Sequence, residues 1–157
     1  RFQEIPIRDL PLYSYDYDAN YPPVARTFKE SIEKSDALLF VTPEYNRSIP
    51  GALKNAIDWG SRPWGKNSFT RKPSAVIGAS IGKIGTAVGQ QHLRSILSYV
   101  NSPELAQPEF YLYFMPGLIT DEGEVTNEDT LAFMKKWMEA FEAFVDRMVK
   151  VEGRAKK

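Results

Sequence analysis

Residues 37–41, Ala-Leu-Leu-Phe-Val, most restrict the fold: five apolar residues in a row, closed by Thr42-Pro43. A strand with one wet face alternates apolar and polar residues, whereas an unbroken apolar run suits a strand covered on both faces, as in a parallel sheet with helices above and below. Residues 74–79, Ser-Ala-Val-Ile-Gly-Ala, form a second such strand, and 2–8 and 110–114 read as two more. Helical periods lie between them. Pro22-Pro23 opens a helix to about Lys34, with Val24, Phe28 and Ile32 on one face. Ser48 and Pro50 start a second helix, with Leu53, Ala56 and Ile57 facing inward and Gly60 ending it. A third, from about Thr86 to Val100, buries Leu93, Ile96, Leu97 and Val100. The last runs from about Asn127 to Val151 on Leu131, Met134, Met138, Phe141, Val145 and Met148. The order β-α-β-α-β-α-β-α predicts an α/β fold, a doubly wound parallel sheet in a single domain over residues 1–157.

Composition removes several chemistries. The chain has no cysteine, so disulfides, thiolate metal sites and cysteine nucleophiles are excluded. Its one histidine, His92, leaves little from which to build a metal site or a nucleophile-histidine-acid triad. With 20 basic and 20 acidic side chains, net charge gives no reason to expect nucleic acid or an anionic membrane as partner. No apolar run approaches the ~20 residues of a membrane span, and a cytoplasmic enzyme is the expectation.

In doubly wound sheets ligands sit beyond the carboxyl ends of the strands, where strand order reverses. Two loops lie there. The first, Pro43-Glu44-Tyr45-Asn46-Arg47-Ser48, joins a buried strand to a helix start, so its N–H groups can point at a ligand. Tyr45 offers a flat apolar surface, and Asn46 tolerates unusual backbone angles. On residue types alone it is equally a rigid turn whose Asn46 and Ser48 cap backbone groups. The second loop follows Ala79: Ser80, Gly82 and Gly85 place a hydroxyl and two permissive backbone positions at the switch point. A lone Gly-x-x-Gly turn is weak evidence, and it does not complete the dinucleotide-binding Gly-x-Gly-x-x-Gly spacing.

Taken together the loops are more specific. Residues 43–59, Pro-Glu-Tyr-Asn-Arg-Ser-Ile-Pro-Gly-Ala-Leu-Lys-Asn-Ala-Ile-Asp-Trp, resemble the NADPH-dependent FMN reductase family, which includes bacterial quinone, chromate and azo reductases. Ser80-x-Gly82-x-x-Gly85 with Gln91-His92-Leu93-Arg94 is similar to the family's second loop, and Glu4-Ile5-x-x-Arg8-Asp9-Leu10-Pro11-Leu12-Tyr13 to its second strand and the loop after it. The resemblance covers residues 1 to about 115. It implies a flavodoxin-like sheet of order 2-1-3-4-5, a homodimer or homotetramer, and FMN bound near a subunit interface. Pro43 to Ser48 would line the flavin ring, with main chain of Glu44 to Asn46 at its polar edge, and Ser80, Gly82 and Gly85 would cover the other side. NADPH or NADH would supply hydride, and a small-molecule electron acceptor such as a quinone or free flavin would remove it. No side-chain acid or base is obligatory, and no metal is implied.

The family begins with a strand, a Gly-Ser-x-Arg-x-x-Ser-type phosphate loop and a helix that this sequence does not match. Strand 1 of the order is therefore expected to be absent from it, leaving the domain N-terminally incomplete and the phosphate residues unassigned. Thr86 and Val88 stand where many relatives carry glycine and arginine. Two rival readings are a flavodoxin-type electron carrier, disfavoured by the neutral charge, and a flavin-free structural or regulatory subunit. Glu44 is expected to be a solvated carboxylate or a backbone-only contact, and His92 a helix-surface or interface residue. Arg62, Lys66, Arg71 and Lys72 near Trp64 would seat the adenine and phosphate of the nicotinamide cofactor, or simply face solvent or a second subunit. Tyr15, Tyr17, Trp64 and Phe69, placed in loops, suggest an oligomer.

Overall fold

The computed structural model describes residues 1–151 and 153. Its elements are α1 (Pro23–Lys34), β1 (Leu38–Val41), α2 (Gly51–Ser61), β2 (Ser74–Ser80), α3 (Ala87–Tyr99), β3 (Tyr111–Tyr113) and α4 (Glu128–Val151). Among the described residues the sheet is three-stranded, parallel, in the order β1-β2-β3. β1 pairs along the first half of β2, from Leu38 opposite Ser74 to Val41 opposite Ile77. β3 pairs along the second half, ending with Tyr113 opposite Ser80.

The apolar runs do what their composition demands. Successive residues of a strand point to opposite faces, so Leu38, Phe40 and Val76 join one core with Phe28, Ile32, Ile57, Trp59, Leu93 and Leu97. Leu39, Ala75 and Ile77 join the other with Leu105, Phe110, Trp137, Phe141 and Phe144. Thus α1, α2 and α3 cover one face of the sheet and α4 the other.

Several expectations need correction. Residues 2–8 are not a strand. Pro6 has no N–H to give a ladder, and Ile5 and Ile7 instead pack half-buried against the first core. The observed order thus corresponds to 3-4-5 of the expected 2-1-3-4-5. The second helix begins at Gly51 and ends at Ser61. Ser48 belongs to the loop before it. Because α1 starts at Pro23, its inward stripe is Ala25, Phe28, Lys29 and Ile32, and Val24 is exposed. On α4 the fully buried positions are Trp137, Phe141, Phe144 and Val149; Leu131 lies in solvent and the methionines are half-buried. Phe69, expected on a loop surface, is buried against Gly60.

Candidate functional site

Both candidate loops leave the carboxyl ends of neighbouring strands, β1 and β2. The first closes as a two-residue hairpin: Tyr45 N–H donates to Ser48 O and Ser48 N–H to Tyr45 O, each at 2.9 Å. Its central residues have φ of 50° at Asn46 and 64° at Arg47. Positive φ at both positions is the type I′ geometry, which matches strand twist and favours Asn at its first place. Arg47 in that region is sterically disfavoured by about 1–2 kcal/mol. Strain of this kind persists where surroundings over-determine it, as at functional sites.

The surroundings are α3. Glu44 Oε2 accepts the N–H of Gly89 at 2.9 Å, and Glu44 Oε1 lies 3.5 Å from Arg47 Nη1. Ser48 Oγ lies 3.1 Å from His92 Nδ1. Glu44 is therefore not the solvated carboxylate expected; its side chain is buried between hairpin and helix. His92 lies on the exposed surface of α3, as expected, and its ring meets the hairpin there.

In the second loop Ser80 Oγ accepts the N–H of Gly82 at 3.1 Å, and Gly85 N–H donates to Gly82 O at 2.9 Å. Gly85 has φ of 59°, and a Cβ there would stand 2.9 Å from the carbonyl carbon of Tyr111 on β3. Its freedom serves this packing of loop on strand. Gly82 meets only Ser80 Oγ, at 3.5 Å. The loop is pinned further by Gln90, fully buried, whose Nε2 donates to Thr86 Oγ1 at 2.8 Å and to Phe110 O at 2.7 Å.

The structure thus brings Pro43 to Ser48 onto the first turns of α3, with Ser80, Gly82 and Gly85 in the loop that leads into that helix. Sequence reasoning missed Gly89 and Gln90. The signal for Gly89 is a helix with no acidic residue in its first turn and no side-chain cap at Thr86, an uncapped start that another segment must satisfy. The basic cluster does not join the hairpin. It follows α2, whose 11 residues carry the chain about 16 Å away. Lys72 turns inward, its ammonium donating to Glu33 O and Ser35 O.

Comparison with known proteins decides the family. The family model of NADPH-dependent FMN reductases matches residues 1–117. The chain belongs to this family. It is an FMN-dependent NAD(P)H oxidoreductase. The chain is similar to a 2-hydroxy-1,4-benzoquinone reductase from a Burkholderia species, 48% identical over 94% of this chain and 81% of the relative. A quinone reductase of Pseudomonas putida is 43% identical over 90% of this chain and 76% of its own length. Among solved structures, the flavoenzyme NAD(P)H:(acceptor) oxidoreductase FerB from Paracoccus denitrificans superposes with a TM-score of 0.90 at 42% identity, over 94% of this chain and 81% of FerB. Membership in this family agrees with a sheet whose two candidate loops leave the carboxyl ends of neighbouring strands. No helix among the described residues is long and apolar enough to cross a membrane.

Proposed function

We propose that this FMN reductase is a quinone reductase whose flavin ring lies over the hairpin 43–48, with Ser80, Gly82 and Gly85 on the other side. The observation that carries the reading is the hairpin's free backbone. The N–H groups of Glu44, Asn46 and Arg47 make no hydrogen bond among the described residues, beside a Tyr45 ring that is largely exposed. Unpaired donors beside an aromatic surface fit the polar edge and the face of an isoalloxazine ring. Val41 and Ile81, exposed at the ends of β1 and β2, extend that surface with apolar side chains, which suits a neutral aromatic acceptor. The N-terminus of α3 fits an anion poorly, because Glu44 already fills it. The FMN phosphate belongs elsewhere.

Bound FMN supplies the redox chemistry, two-electron transfer from NAD(P)H to the acceptor. The chain's part is to bind and orient: backbone donors of the hairpin fix the ring's polar edge, Tyr45 and the apolar rim exclude water, and no side chain has to hold a proton. A cytoplasmic location and an assembly of at least two copies go with this reading. The test is steady-state oxidation of NADPH and of NADH by the FMN-loaded protein, with 1,4-benzoquinone or free FMN as acceptor. Quinone should accelerate oxidation in a ping-pong pattern. Reduction of free FMN with no response to quinone would overturn the acceptor assignment.

A further inference from the structure

The capping of α3 comes from a residue 45 positions away in the chain, and this joins the two loops of the site. Thr86, at the N-cap position, makes no side-chain cap; its buried hydroxyl accepts from Gln90 instead. The first turn of α3 has no acidic residue. The N–H of Gly89, third residue of the helix, is satisfied by the Glu44 carboxylate, whose side chain is only 8% exposed. A buried, charge-assisted bond of this kind is about twice as strong as a neutral one, and the helix dipole adds to it.

The same carboxylate faces Arg47 at the second left-handed position of the turn. Van der Waals contact completes the joint: a Cβ on Gly89 would come within 3.0 Å of Ser48 O and 3.3 Å of Glu44 Cγ. A two-residue hairpin is at best marginal by itself. Here it is clamped to the helix that begins at the end of the second loop.

We propose that Glu44 is a positioning residue: by capping α3 from the hairpin, it holds the free N–H groups of Glu44, Asn46 and Arg47 in fixed relation to the loop 80–85. The two walls of the flavin site are one unit, and the carboxylate is the tie. This rests on the reading that the flavin ring lies over the hairpin, and the test separates the two.

The experiment uses the full chain, without FMN and FMN-loaded, as wild type, Glu44→Ala, Glu44→Gln, Asn46→Ala and Ser102→Ala. Two quantities are read: amide hydrogen exchange in the first turn of α3, and the FMN dissociation constant by titration of flavin fluorescence. Glu44→Ala should open exchange at residues 87–91 and raise the FMN dissociation constant about tenfold or more, the scale of one lost charge-assisted bond. Glu44→Gln keeps an oxygen acceptor at the same reach, so exchange stays protected and FMN affinity returns to within about threefold of wild type. Ser102, whose hydroxyl bonds Lys72 O and Ser74 Oγ at the opposite end of β2, controls for mere destabilisation. Its loss should lower the melting temperature and leave FMN affinity unchanged. If Glu44→Ala does not fold, Glu44→Asp, one methylene too short to reach Gly89, should show the same two losses.

Protected exchange in Glu44→Ala, or failure of Glu44→Gln to restore FMN affinity, overturns the proposal. So does opened exchange with FMN affinity unmoved while Asn46→Ala weakens it. Alanine is disfavoured at the φ of 50° that Asn46 adopts, so Asn46→Ala displaces the turn's backbone donors; if it is silent as well, the ring-over-hairpin reading falls with it.

Discussion

Gly82 and Gly85 look alike in the sequence, yet only one is constrained by the fold. At Gly85 a side chain would be forced to a φ of 59° with its Cβ 2.9 Å from backbone of β3. Gly85→Ala should therefore destabilise the protein by about 1–3 kcal/mol, through backbone strain and displacement of β3. Gly82→Ala meets only a hydroxyl at ordinary contact distance and should stay within about 0.5 kcal/mol of wild type. Urea unfolding of both variants checks the contrast, and equal losses would refute it. Such distinctions were not legible beforehand, because the sequence shows which residues permit close approach but not what approaches. Glu44 is the same case. Its place in the loop was readable, but its partner lies 45 residues on, and only the packing of hairpin against helix makes it a cap rather than a solvated charge.

At the scale of elements, the long apolar runs and the helical periods were legible because both faces of β1 and β2 are covered. Segments held by single side-chain bonds were not. Residues 12–21 show neither a helical nor a strand period, yet α2 grips this stretch and Pro11 before it: Asn55 accepts the N–H of Tyr13 at 2.8 Å and donates to Pro11 O at 2.9 Å, while Trp59 Nε1 also donates to Pro11 O, at 2.6 Å. Tyr13 and Tyr21 set their rings edge-on to Trp59 at 5.1 and 4.9 Å. The far end of α2 holds a second unforeseen joint. Lys29, placed on the buried stripe of α1, donates to Gly60 O at 3.0 Å and Lys66 O at 2.6 Å. Burial pulls its pKa down to about 8, against the opposing pull of Glu33. The folded chain then binds fewer protons at Lys29 than the unfolded chain between pH 8 and about 10.5. Stability from this group therefore rises with pH across that window and is lost as pH falls through 8. Tyr13, raised to about 12 by burial and by its bond to Asp18, acts oppositely but only above pH 10. Melting temperatures of wild type and Lys29→Met between pH 7 and 10 should show the difference moving in favour of wild type as pH increases. A difference that does not change with pH would remove Lys29 from this role.

For the whole molecule the question is what covers its exposed apolar side chains. Single exposed hydrophobics are normal, but contiguous patches beyond a few hundred Å² mark contact sites. Tyr15 is 74% exposed and Trp64 77%, and Leu12 reaches 83% although its neighbours Pro11 and Tyr13 are bonded to α2. Leu12 is held outward by backbone bonded to α2 on both sides, so it cannot bury itself by local rearrangement. Arg62 lies 5.8 Å from the Trp64 ring, which stiffens that residue without covering it. Phe69, first grouped with these aromatics, is already consumed by the core and contributes nothing to an interface. The remaining set still offers aromatic anchors of the type that dominates interfaces, where a stable dimer buries roughly 800 Å² per partner. Sedimentation at micromolar concentration should accordingly give at least twice the mass of the chain, and Trp64→Glu, which replaces an exposed aromatic anchor with a charge, should shift the boundary toward monomer without lowering the melting temperature of the separated chains. A monomer at all concentrations would show that these aromatics are simply solvated, and an oligomer indifferent to Trp64→Glu would move the interface to another face.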